Sequence, residues 1–168
     1  MMEKSYAKFL TRNDLGLTGG HQGGICVPRA DKALLDFFPR LDEGEINPET
    51  WIECKDEQGA VWKLRYIYYN GKLHDTSTRN EYRITYMTKF LRESGAMVGD
   101  AVVFTSMGEP ATFKISIKKN TDPKNVQEEM ELGETKVIVL KGWSRIRLST
   151  FFSGRAICIV NICFNRFM

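Results

Sequence analysis

The run VWKLRYIYY, Val61–Tyr69, decides the fold class. Trp62, Leu64, Tyr66 and Tyr68 fall on one face and Lys63, Arg65, Ile67 and Tyr69 on the other, the period of two expected of a strand with one side on a core. Asn70-Gly71 follows at once. This pair favours tight hairpin turns because both residues tolerate positive φ. Working outward, Tyr6 to Leu10, Ile25 to Val27, Trp51 to Cys54, Glu81 to Met87, Ala101 to Thr105, Thr112 to Lys119 and Val137 to Leu140 read as further short strands. Asp31 caps a helix over Lys32 to Phe38, residues 88–95 make a helical turn, and Asp122-Pro123 opens a helix through Met130. The strand–helix rhythm of a doubly wound fold is absent, so the expected architecture is mixed but mainly β, a barrel-like sheet of about seven short strands with two or three short helices.

The 168 residues suit one domain with an appendage, and the composition, 42% hydrophobic and 27% charged, is that of a globular chain. No run reaches the ~18 apolar residues that cross a bilayer, and the start MMEKSYAKFL lacks the apolar core of a secretory signal. A cytoplasmic protein without membrane partners is expected. Cys26, Cys54, Cys158 and Cys163 show no C-x-x-C spacing and read as reduced core thiols. With only His21 and His74 beside them, no metal or other cofactor is implied.

The net charge of +3 conceals an uneven distribution. Nothing acidic follows Glu134, where six basic residues lie, so residues 1–134 sum to −3. Between Lys63 and Arg92 seven basic residues face only Asp75 and Glu81, a local +5. A second feature is RNDLGLTGGHQGG, Arg12 to Gly24, with five glycines in thirteen residues, a loop composition that allows close approach of another backbone.

Two segments carry a resemblance: TRNDLGLTGGHQGGICVP, Thr11 to Pro28, and YYNGKLHDTSTRNEYRIT, Tyr68 to Thr85. In this order they resemble the N-terminal DNA-binding domain of EcoRII-type restriction endonucleases, also found in BfiI-like enzymes. MVGDAVVF, Met97 to Phe104, resembles the L-x-x-GD-x-V-x-F run of plant B3 DNA-binding domains. The resemblance implies a B3-like DNA-binding pseudobarrel over residues 1–140, with residues 141–168 a basic, apolar extension outside it. It further implies two loops in the major groove of double-stranded DNA, an N-arm from Arg12 to Gln22 and a C-arm from Thr76 to Arg83.

The residue types suit that task. Arginine presents a rigid fork to guanine, asparagine and glutamine pair with adenine, and a carboxylate accepts from the cytosine amino group. Arg79, Asn80, Glu81, Tyr82 and Arg83 hold all three chemistries in five residues. In the N-arm, Arg12, Thr18, His21 and Gln22 are the expected contacts, while Asn13 and Asp14 either touch DNA or shape the loop through their own backbone. Lys63, Arg65, Lys72 and Lys89 are expected on phosphates. The resemblance implies a target of the CC(A/T)GG kind, with two departures in the reading loop: EcoRII-type C-arms read RNEKR where this chain has RNEYR, and Ser77 stands where a lysine is expected.

The function this implies is sequence-specific duplex binding as the recognition or effector-binding module of a restriction endonuclease, with the nuclease outside this chain and no catalytic residue within it. Alternatives are a stand-alone DNA-binding regulator, an interaction module using the basic stretch Lys136 to Arg166, and a small magnesium-dependent nuclease. The last would need Glu53-Cys54-Lys55 with Asp42, the bare spacing of an acid followed by acid-x-Lys.

Overall fold

The computed structural model describes residues 4–18, 24–120 and 142–146. Eight strands form one sheet: β1 Ser5–Phe9, β2 Ile25–Val27, β3 Glu49–Lys55, β4 Val61–Tyr69, β5 Glu81–Thr85, β6 Ala101–Ser106, β7 Thr112–Lys118 and β8 Trp143–Ile146. Two short helices, α1 Lys32–Leu35 and α2 Thr88–Glu93, accompany them. The strand order is β2-β5-β4-β3-β7-β6-β1-β8, antiparallel throughout except where β3 meets β7. The two edges meet: the Trp143 indole N–H donates to the Cys26 carbonyl at 2.9 Å, so the sheet curls into a nearly closed barrel.

The alternation read along β4 is the one observed. Leu64, Tyr66 and Tyr68 are buried inside, where they join Ile52, Ile84, Phe104 and Ile115 in one core. Phe38, just beyond α1, packs its ring against Tyr66, Phe104 and Phe113 and closes one end. Asp31 caps α1 as expected, its Oδ1 accepting from Leu34 N at 3.0 Å. No described helix is long and apolar enough to cross a membrane.

Three local expectations need correction. Asn70-Gly71 does not close a two-residue hairpin: ten further residues separate β4 from β5 beyond Asn70, and Asn70 is fully buried. Its side chain serves as an anchor instead of a turn former. The sheet also extends past residue 140, because β8 pairs along β1 from Ser5↔Ile146 to Lys8↔Trp143. Finally, Cys54 is buried, with its thiol pushed up to about 12 by burial, whereas Cys26 is exposed, on the outer side of β2. The expected strand Val137 to Leu140, the helix from Asp122 and Cys158 and Cys163 lie outside the described residues.

The Gly99-Asp100 pair fastens the start of β6. Asp100 is buried and accepts from Met97 N at 2.8 Å, Asn120 N at 2.9 Å and Lys119 Nζ at 3.0 Å. Burial alone would raise its pKa, but these donors hold it below the ordinary carboxylate value. A depressed folded pKa stabilises the fold above the unfolded carboxylate's value, ~3.9, and that contribution is lost as pH falls through the folded value. Urea midpoints should therefore fall more steeply below about pH 4 in the wild type than in Asp100→Asn; parallel acid limbs would show that Asp100 is not the titrating tie.

Candidate nucleic-acid interface

The N-arm leaves the barrel at the end of β1. Its first turn is held from within: Leu15 N donates to Thr11 O at 3.2 Å, Gly16 N to Asn13 O at 3.0 Å and Leu17 N to Arg12 O at 2.9 Å. Arg12, Asn13 and Thr18 are exposed, and Thr18 Oγ1 donates to Asn13 Oδ1 at 3.0 Å. Asp14 is the opposite case. It is buried and its Oδ2 accepts from Thr11 N at 2.9 Å, Thr11 Oγ1 at 2.8 Å and Lys8 Nζ at 2.9 Å. Of the two readings for Asp14, the geometry is that of a loop former. His21 and Gln22 lie outside the described residues.

The C-arm springs from Asn70. The Asn70 Oδ1 accepts from Asn47 N at 2.7 Å, and its Nδ2 donates to Glu45 O at 2.6 Å and Glu43 O at 3.2 Å, pinning the arm's root to the loop before β3. Next to it the Gly71 carbonyl gathers the amides of His74, Thr76 and Ser77. A Cβ on Gly71 would lie 2.2 Å from Ser77 Oγ and 2.9 Å from Thr76 Oγ1, so a larger residue would have to displace those side chains where the arm returns. Lys72 N then donates to Arg79 O at 2.9 Å, and the Lys72 and Ser77 side chains stand exposed.

The five-residue run expected to read bases is divided by the start of β5. Arg79 and Asn80 belong to the loop, and Glu81, Tyr82 and Arg83 to the strand, where the period of two sends neighbours to opposite faces. Glu81 and Arg83 face outward and pair, Arg83 Nε donating to Glu81 Oε1 at 3.0 Å. Arg83 is nevertheless largely covered, while the Arg79 guanidinium lies half-exposed over the Tyr69 ring, 5.0 Å from its centroid. Tyr82 points inward, a correction to its expected place among the reading residues. It stacks on Tyr68 with centroids 4.0 Å apart and planes within 4°, and its hydroxyl donates to Glu43 Oε1 at 3.0 Å. Its place opposite Tyr68 follows from the β4–β5 register, which the sequence of either strand alone does not give.

The stacked pair also organises its surroundings. Burial raises the Tyr68 and Tyr82 pKa values, so both hydroxyls are donors at neutral pH. Tyr68 donates to Asn80 Oδ1 at 2.6 Å, fixing that amide at the arm's edge with one carbonyl lone pair occupied. Arg29, just after β2 and not singled out from sequence, lies exposed with its guanidinium 5.8 Å from the Tyr68 ring centroid. Its only signal was the fixed exit that Pro28 gives the strand.

Both arm roots converge on β2. Cys26 stands opposite Arg83 in register, and Gly24, where a Cβ would meet Ile84 O at 2.5 Å, lets the chain entering β2 lie close on β5. The Cys26 thiol, raised chiefly by desolvation, also feels Glu81, Arg83, Lys8 and Asp14.

The expected phosphate contacts do not share one surface. Lys63 lies six residues before Tyr69, about 20 Å from the C-arm root along a strand, and pairs with Glu53 at 3.6 Å. Lys89 sits over Trp62 at the same far end. Arg65 is engaged within the protein by Glu49 at 3.2 Å, Thr85 at 3.2 Å and the Tyr69 hydroxyl at 3.3 Å. Lys72 alone of the four stands on an arm. Asp42, the outlying member of the alternative nuclease set, uses its Oδ1 to cap its own turn at Gly44 N, 2.8 Å. Among the described residues, no group of three His, Cys, Asp or Glu side chains is arranged to hold a metal.

A nearly closed eight-stranded barrel, with residues 11–18 leaving β1 and the C-arm loop joining β4 to β5, defines a B3-like pseudobarrel. The same fold appears in the Arabidopsis FUS3–DNA complex, which matches 68% of this chain and 96% of that one at a TM-score of 0.52 and 20% identity. The family described as restriction endonuclease EcoRII, N-terminal, matches residues 2–138, and the chain belongs to it. The Escherichia coli type II restriction enzyme EcoRII is 39% identical over 88 residues, 48% of this chain and 20% of the enzyme. Rice auxin response factor 3 is 32% identical over 120 residues, 71% of this chain and 15% of that protein. The chain thus spans a fifth or less of the length of these relatives.

Proposed function

We propose that this chain is a sequence-specific double-stranded-DNA-binding module of the restriction-enzyme type, reading the major groove with the two arms. The observation that carries this reading is the grouping at the barrel mouth. Arg79 and Asn80 are presented by a loop locked at Asn70 and Gly71, Glu81 and Arg83 stand directly behind them, and Arg12, Asn13 and Thr18 are displayed on an arm whose root meets the same strand β2. Arginine, amide and carboxylate side chains fixed within a few residues match the donor and acceptor edges of the major groove. Family membership supports the same reading.

Within that reading the module recognises DNA and leaves cutting to a nuclease domain or subunit beyond this chain. In the family's logic it binds a copy of the target and relieves inhibition of that nuclease. Fluorescence anisotropy with a CC(A/T)GG duplex, a scrambled duplex and a single strand, at two salt concentrations without magnesium, tests the proposal. Neutralising ~5 phosphates gives a log–log salt slope near −4.5 for any duplex, and base readout adds a preference that survives at higher salt. Failure to bind any duplex rejects the reading.

Lys72 has the simplest expected behaviour. Its side chain is exposed on the C-arm, so Lys72→Ala should weaken all duplexes alike and reduce the salt slope by about 1. A loss confined to one sequence would reassign Lys72 to base readout.

A further inference from the structure

The geometry points to Lys8 and Asp14 as a positioning pair that sets the N-arm's register on the barrel and thereby its sequence discrimination; this rests on the DNA-reading function proposed above. Along β1 the inward positions are Tyr6 and Lys8, and Leu10 just beyond the strand is again in the core, so a lysine occupies a place in the core wall between two core residues. Its register partners are Val102, also in the core, and Trp143, whose indole joins the barrel's two edges. Lys8 and Asp14 are both more than nine-tenths buried. The ammonium is held at 2.9 Å by Asp14 Oδ2 and also donates to the Phe9 carbonyl.

A buried pair of this kind is a weak source of net stability, because desolvation offsets most of the attraction. Its geometry is the more informative property. One oxygen of Asp14 gathers Lys8 Nζ, Thr11 N and Thr11 Oγ1, tying the first turn of the arm to a strand in the barrel wall. Arg12 and Asn13 stand between the residues so fastened, and Thr18 is bonded to Asn13. Without the pair the turn would keep its own backbone bonds but lose its fixed placement on β1. Arms that still meet phosphate but no longer meet base edges in register retain general affinity and lose selectivity.

The test uses the full chain and the duplex that the wild type itself selects from a randomised pool. Lys8→Met with Asp14→Asn removes both charges together, leaving no lone buried ion. The expected result is a cooperatively folded variant that binds a scrambled duplex within threefold of wild type but loses at least fivefold of the wild-type preference for the selected duplex. A core control far from the arm, Ile115→Val, should keep that preference. A folded double variant with less than a fivefold loss overturns the proposal, as does a parallel fall for both duplexes. Should the double variant not fold, Thr11→Val removes both hydrogen bonds of the Thr11 hydroxyl with Asp14, its donation to Oδ2 and its acceptance from Asp14 N, without exposing a charge. It should lower the preference at least twofold, and an unchanged preference overturns the proposal. A wild type that enriches no sequence from the pool rejects the DNA-reading function itself, and this inference with it.

Discussion

Asn70→Ala is expected to cost about 3 kcal/mol of stability, near the top of the range for losing a buried polar network. Asn70 has no exposed surface, and it joins three backbone groups of the 43–47 loop to the root of the C-arm. Each buried polar group left without a partner costs about 1–3 kcal/mol, and alanine also leaves a small void where the amide stood. The loss reaches beyond the turn, because the same loop carries Glu43, the acceptor for the Tyr82 hydroxyl. Urea unfolding gives the stability change directly, and hydrogen exchange should show the amides bonded to the Gly71 carbonyl losing protection first. A change below about 1 kcal/mol would mean that water replaces the side chain and that the arm is fixed by its backbone alone.

Arg79→Ala should have the larger effect on DNA. Removing a guanidinium that reads a guanine edge costs about 1–3 kcal/mol, a five- to 150-fold loss confined to the preferred duplex. Its effect on folding should stay within about 1 kcal/mol, since the half-exposed stack on Tyr69 contributes only about 0.5–1. Arg79→Lys separates charge from shape. In Arg79→Lys binding to scrambled duplex stays at the wild-type level, yet the discrimination is not recovered, because a point charge lacks the planar fork. Equal losses on both duplexes in Arg79→Ala would place this residue on phosphate. Arg83 offers a useful contrast: it is covered and paired with Glu81, so its replacement by alanine should reduce stability as well as discrimination.

Much of the molecule was legible along the chain. The inward set Leu64, Tyr66 and Tyr68 followed from a period of two, which is a property of any strand lying on a core. The cap at Asp31 followed from a short side chain that can reach an unpaired helix amide. The glycine content of residues 12–24 marked a loop, while the reading of both segments as DNA-binding arms came from their resemblance to EcoRII-type domains. Other features were hidden because they depend on partners far away in sequence. Asn70-Gly71 carried a local turn signal, yet Asn70 is held by residues 23 to 27 positions earlier. Lys63, Arg65 and Lys89 belonged to a basic stretch, and the extended backbone then carried two of them to the far end of the barrel while Glu49 and Thr85 engaged the third.

Local sequence by itself determined that this chain makes short strands on one core, with two polar loops chemically equipped for base edges. Those properties depend on side-chain period, glycine freedom and donor–acceptor chemistry, each fixed within a few residues. Tertiary structure decided which members of the loops are presented. It turned Tyr82 inward onto Tyr68, buried Asp14 against Lys8 and brought Arg29 to the Tyr68 ring. It also carried β8 back onto β1 and closed the barrel through Trp143 and Cys26, residues 117 positions apart. The physical reason is that exposure and pairing depend on what the rest of the chain places opposite a residue, which strand register and long-range loop contacts set.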